Sequence, residues 1–125
     1  MPPYRPGPWD VVRGHCHQTT PAKVKRVLCV RLEDDHFLGF FFNTSVNPWV
    51  QERPHILQYH LPFVEPDRTY LDRDCYLDTT QAFVFHYFQQ WERLGEMSLE
   101  DAERVRAVIE ESPHLPPKTV RSLLT

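Results

Sequence analysis

The chain has 125 residues, 41% of them hydrophobic and 25% charged, which suits one globular domain with a real but modest core. A net charge of −3 argues against indiscriminate binding to nucleic acid. No run of about 18 apolar residues is present, which excludes a membrane-spanning helix. Twelve prolines against four glycines point to many short elements separated by stiff turns.

In chain order, residues 1–9 carry four prolines and read as an extended arm. The opening "MPPYRPGPWD" lacks the apolar stretch of a signal peptide. Cys16, Cys29 and Cys75 are odd in number and widely spaced, as reduced core thiols would be. Both features lead to the expectation of a cytoplasmic protein. Residues 10–17, "DVVRGHCH", alternate as a strand, with Val11, Arg13, His15 and His17 on one side and Val12, Gly14 and Cys16 on the other. This arrangement counts against a metal site at "HCH", since the histidines and the cysteine face opposite ways. No C-x-x-C or H-x-x-x-H spacing supports one either, and no metal or cofactor is expected.

A second strand is predicted over 24–32, with Val24, Arg26, Leu28, Val30 and Leu32 on one side. "EDDH" turns the chain into a third strand over 37–45, where Leu38, Phe40, Phe42 and Thr44 share a face and Gly39 weakens the strand or marks a bulge. Shorter strands are predicted over 56–61 and 75–77, the latter continuing after "DTT" into 82–85. Five or six short strands at this spacing suggest a small antiparallel β-barrel over 10–85. The last third, 86–125, reads as helical: one helix in "HYFQQWERLG" ending at Gly95, a clearer one over 99–112, and a final turn or two in "PKTVRSLL". For the helix over 99–112, Ser98 is the N-cap and Leu99, Ala102, Val105 and Ile109 form the apolar stripe.

The second and third strands raise the functional question. Closed at "EDDH", they bring Arg26 and the pair Thr44–Ser45 to the same open end. A guanidinium on the Val24/Leu28 side needs a partner or a groove. Arginine beside small hydroxyls makes a phosphate site, a planar cationic fork with adjustable donors. The plain alternative is that Arg26 pairs with an Asp or Glu and that Thr44 and Ser45 simply end a strand. Arg13, Lys23, Lys25, Arg26 and Arg31 together offer a local basic patch in an acidic chain. Trp49, in the loop beyond Ser45, is placed to stack a base or to pack an interface. His17, on the strand leading towards Arg26, is a second candidate contact.

The order "WDVVRG", loop, "KRVLCV", turn, "FFFNTS", then "DRDCYLDTTQAF" resembles the PemK/MazF group of toxins over about two-thirds of the chain, residues 9–85. The resemblance implies an SH3-like barrel, a homodimer, and cleavage of single-stranded RNA without a metal as part of a toxin–antitoxin system. The ribose 2′-hydroxyl attacks the adjacent phosphate in that chemistry. The family's arginine matches Arg26 and its strand-end hydroxyl matches Thr44, which become the catalytic candidates. Ser45, Lys23, Lys25, Trp49 and His17 are then the RNA-binding candidates. The alternative function is a non-catalytic SH3-like barrel that presents the same groove to a protein or RNA partner.

Overall fold

The structure, a computed structural model, describes residues 4–125. Its centre is the pair β2 (Lys23–Leu32) and β3 (His36–Asn43), the longest run of strand-forming sequence, joined antiparallel through Val27↔Phe41 to Leu32↔Phe37. β1 (Asp10–Cys16) pairs with the other edge of β2 and places Arg13 opposite Arg26. The far edge of β3 takes two strands in succession: β5 (Cys75–Asp78) at Phe42↔Leu77 and β6 (Phe83–His86) at Phe37↔Phe85. With β4 (His60–Phe63) on β5 and β7 (Glu92–Glu96) on β1, the result is a seven-stranded antiparallel sheet in the order β4-β5-β3-β2-β1-β7, with β6 beside β3.

Alternation sorts the side chains into two apolar clusters as the sequence pattern requires. Val11, Leu28, Phe40, Phe42 and Leu77 lie on the side covered by α3 (Leu99–Glu111) and α4 (Pro117–Leu124). Val12, Cys16, Val27, Cys29, Phe37, Phe41, Phe85 and Trp91 form the other cluster. Gly39 does mark a bulge: the β2–β3 register shifts between Cys29 and Arg31, and a Cβ on Gly39 would sit 2.3 Å from the Leu28 carbonyl oxygen. All three cysteines are free and buried.

Several elements differ from the sequence reading. The segment expected as one helix ending at Gly95 is a turn followed by strand β7, paired to β1 at Asp10↔Glu96 and Arg13↔Glu92. Without β7 the outer edge of β1 would leave buried backbone groups unpaired, a stronger demand than the helix propensity of "QQWERL". Trp91 anchors the turn: its ring packs on Phe37 and Phe85, and its indole N–H donates to the His86 carbonyl at 2.9 Å. Gly14 makes room for that ring, since a Cβ there would meet it at 2.6 Å. The sheet therefore runs on to Glu96, and the helical part starts only at Leu99.

The strand expected over 56–61 is displaced. Two proline-started turns, α1 (Pro48–Gln51) and α2 (Pro54–Leu57), precede β4. Helix α3 begins at Ser98 as expected, the serine hydroxyl accepting the Asp101 N–H at 3.1 Å, and ends at Glu111. Its buried face is Asp101, Ala102, Val105 and Ile109, while Leu99 is 77% exposed. At 100° per residue Leu99 stands roughly 100° round from the centre of that face. α4 forms where a final turn or two was expected.

Residues 1–3 of the proline-rich arm lie outside the described residues. Residues 4–9 lie against the sheet. The Asp10 carboxylate accepts from the Tyr4 hydroxyl and, at 2.9 Å, from the Gly7 N–H. Trp9, at φ 69°, holds a left-handed conformation uncommon for a bulky residue. Its N–H donates to the Cys29 carbonyl at 2.7 Å and its carbonyl accepts from Met97 at 2.9 Å, which keeps it there. Among the described residues, no helix is long and apolar enough to cross a membrane.

Candidate functional site

The open end of the β2–β3 pair becomes a cleft because the two strands part there. Their ladder stops at Val27↔Phe41, and the last residues of β3, Phe42 and Asn43, turn their pairing to β5. The strand expected to reach Ser45 ends at Asn43, with Thr44 and Ser45 in an exposed bend. The space left, about 230 Å³, is lined by Lys23, Val24, Lys25, Arg26, Phe42 and Thr44 from this end. Leu71, Asp72, Arg73 and Cys75 close it from the opposite side. Four of its lining groups are cationic and one is anionic, in a chain of net charge −3.

Arg26 is fixed rather than loose. Its Nε donates to the Tyr70 carbonyl at 3.1 Å, and Nη1 lies 3.4 Å from a carboxylate oxygen of Asp72. The side chain is 23% exposed, so the guanidinium is largely sheltered while it lines the cleft. Lys25, one residue earlier, points to the other face of β2: its ammonium donates to the Asn43 side-chain oxygen and lies over the Phe41 ring, 5.5 Å from its centre. Burial, then the neighbouring Lys23, lowers its pKa below the usual lysine value. Cys75 is a buried residue of the cleft lining. Burial raises its thiol from 9.0 to about 11, against a smaller opposite pull from Arg26.

The sequence-predicted residues divide accordingly. Lys23, Lys25, Arg26 and Thr44 line the one cleft. Ser45 is exposed beside it and does not line it. Trp49 sits on α1, 55% exposed, with the Arg53 guanidinium stacked 3.7 Å from its ring centre. One face of that indole is thus already covered. His17 lies just past the end of β1, exposed and not among the residues that line the cleft, and its ring meets His15 edge-on at 5.1 Å. Of the wider basic patch, Arg13 pairs with Glu92 at 2.5 Å and Arg31 with Glu33 at 3.4 Å, so neither joins the cleft. Among the described residues, no three His, Cys, Asp or Glu side chains converge as metal ligands.

Sequence reasoning missed the opposite wall. Tyr70, Leu71, Asp72 and Arg73 belong to the β4–β5 connection, which reads in sequence as a long polar loop. Tyr70 and Leu71 are core residues, which pins the charged pair that follows them at the cleft. The available signal was an apolar pair directly before "DRD" and a strand. A larger depression, about 500 Å³, lies between this loop and the start of α3. The one cation among its lining residues, Arg68, is engaged by Asp101 through two hydrogen bonds, at 2.9 and 3.0 Å.

No protein-family model matches the chain, and no curated protein matches it.

Proposed function

We propose that the protein is a metal-independent, toxin-type endoribonuclease acting on single-stranded RNA, with an SH3-like barrel as its scaffold. The observation that carries this reading is the meeting of Arg26 and Thr44 in one cleft that Lys23 and Arg73 also line. The resemblance to the PemK/MazF toxins, carried by the order of motifs over residues 9–85, matches Arg26 and Thr44 to the family's arginine and strand-end hydroxyl. Homodimer formation, control by an antitoxin protein and a cytoplasmic setting belong to this proposal through that resemblance.

In the reaction proposed, a ribose 2′-hydroxyl attacks the adjacent phosphorus. The 2′-O–P bond forms as the P–O5′ bond breaks, the 2′-hydroxyl loses its proton and O5′ gains one. The products are a cyclic phosphate end and a free 5′-hydroxyl. Negative charge grows on the non-bridging oxygens in the transition state. Arg26, already oriented by the Tyr70 carbonyl, is the main stabiliser of that charge, and Thr44 donates to a non-bridging oxygen. Lys23 draws the backbone in, and Ser45, Trp49 and His17 are contacts for the flanking nucleotides.

The test is incubation of the purified protein with a long RNA in EDTA. Cleavage with cyclic-phosphate ends is expected, and Arg26→Ala should reduce its rate by about 10²–10³. Arg26→Lys should not restore full activity, because the charge stays but the planar fork is lost. One observation favours the second reading, a non-catalytic module: Arg26 already has an acidic partner in Asp72. RNA left intact by a wild-type protein that still binds it through the cleft would establish that reading.

A further inference from the structure

Resting on the reading of the cleft as a phosphate site, we infer that Asp72 is a built-in competitor for the phosphate, a carboxylate held where the bound anion must go. Its carboxylate oxygen lies 3.4 Å from Nη1 of Arg26 and 3.4 Å from Nε of Arg73, between two of the cleft's cations. A carboxylate and a phosphate offer a guanidinium the same paired oxygen acceptors, so they compete for one fork.

The position of Asp72 is built rather than accidental. The two residues before it, Tyr70 and Leu71, are buried in the core, at 3% and 7% exposure. Upstream, Arg68 ties the loop to α3 through Asp101, and its guanidinium also donates to the Val64 carbonyl at 2.9 Å. Downstream, the Asp74 carboxylate accepts the Glu65 N–H at 2.8 Å and closes the loop on itself. Arg26 is fastened to the same loop through the Tyr70 carbonyl. Loop and arginine therefore keep Asp72 at the site while its side chain, 53% exposed, stays free to swing into water.

The strength of the contact suits a displaceable occupant. At 3.4 Å, with the Asp72 side chain 53% exposed to competing water, the pair is weak and displaceable. A lone anion has little to offer against it. An RNA strand brings several phosphates at once, and Lys23 and Arg73 stand ready for the neighbours. Asp72 thus selects a polyanionic chain over small anions and sets how tightly the cleft holds it.

The test is a binding cycle using a short fluorescein-labelled single-stranded RNA in EDTA at fixed salt, with wild type, Asp72→Asn, Arg26→Ala and the double variant. Asparagine keeps the shape and the acceptor and removes only the charge. Asp72→Asn should bind the RNA about two- to fivefold more tightly than wild type. On the Arg26→Ala background the same change should give little or no gain, because the fork it competes for is gone. An equal gain on both backgrounds would overturn the inference, reducing Asp72 to one more repelling charge. So would Asp72→Asn binding no better than wild type while Arg26→Ala binds worse, and in that case the phosphate site itself survives. If Arg26→Ala binds RNA as well as wild type, the reading of the cleft falls and the competitor falls with it. Circular dichroism of each variant separates lost binding from lost fold.

Discussion

The β2–β3 pair has two ends made from the same two strands, and they are built for opposite ends of the stability scale. At the closed end, near the turn, Phe37 is fully buried and stacks on Phe85 at 5.2 Å, with Trp91 edge-on at 5.4 Å. Gly39 lets β2 bulge against it with no space to spare. At the open end the strands part, the side chains turn polar, and Arg26 makes one 3.1 Å hydrogen bond and one 3.4 Å ion pair over a cleft. A pair of strands this apolar holds a cationic site at its mouth because the packing energy is concentrated at the other end. Each end is therefore expected to respond to substitution in its own way.

The largest effect should come at the closed end. Phe37→Ala removes a ring packed among Phe85, Tyr87 and Trp91, and should cost about 3–5 kcal/mol in denaturant unfolding. A loss below a kcal/mol would mean that the second cluster is loosely packed and that the contrast between the ends is false. Gly39→Ala comes next. Its added methyl would meet a backbone carbonyl, which cannot rotate away as a side-chain tip does, so the bulge must shift at a cost of about 1–3 kcal/mol.

A third expectation concerns pH. Burial raises the Cys75 thiol at the open end, and Cys16 in the second cluster, from 9.0 to about 11. The folded state then holds protons that the unfolded chain releases first. The stability they contribute is present below pH 9 and declines as pH rises from 9 towards 11. The expected size is on the order of 1–2 kcal/mol per thiol at the top of that window. Comparing unfolding of wild type and Cys75→Ala at pH 8 and at pH 10.5 isolates the share of the cleft thiol. A difference between the two proteins that does not change with pH would show that Cys75 titrates as an exposed thiol does.

The sheet's central strands were legible in the sequence because two-residue alternation is a direct image of a two-faced sheet. The Arg26/Thr44 juxtaposition followed from the same alternation and the turn at "EDDH". What alternation cannot encode is which segment fills a sheet edge. β7 carries helix-favouring residues and becomes a strand because β1 needs a partner there, a fact set by residues some 80 positions upstream. The β4–β5 loop was opaque for a related reason. Tyr70 and Leu71 look like isolated apolar residues in a polar stretch, and only their burial brings Asp72 to Arg26. Leu99 shows the limit of a spacing argument. It keeps the helical interval to Ala102, but the buried face centres on Asp101, Val105 and Ile109, and the turn of the helix carries Leu99 off that face into solvent.

The smallest expected stability effect falls on Arg26, the residue to which the proposed function gives the largest role. Arg26→Ala should change unfolding free energy by about 0–1 kcal/mol, since the ion pair with Asp72 is half exposed and long. The hydrogen bond to the Tyr70 carbonyl argues for the upper part of that range, because that carbonyl belongs to a residue only 3% exposed and would lose its donor. Relief of the like-charged Arg13 directly across the β1–β2 ladder acts the other way. Thermal unfolding of the variant beside its RNA cleavage reads both halves of the comparison in one protein. A nearly unchanged melting temperature with lost cleavage is the signature of a side chain kept for a ligand. A loss of several kcal/mol would make Arg26 a clamp between β2 and the β4–β5 loop, and its polarity at the strand mouth would then be explained by the fold alone.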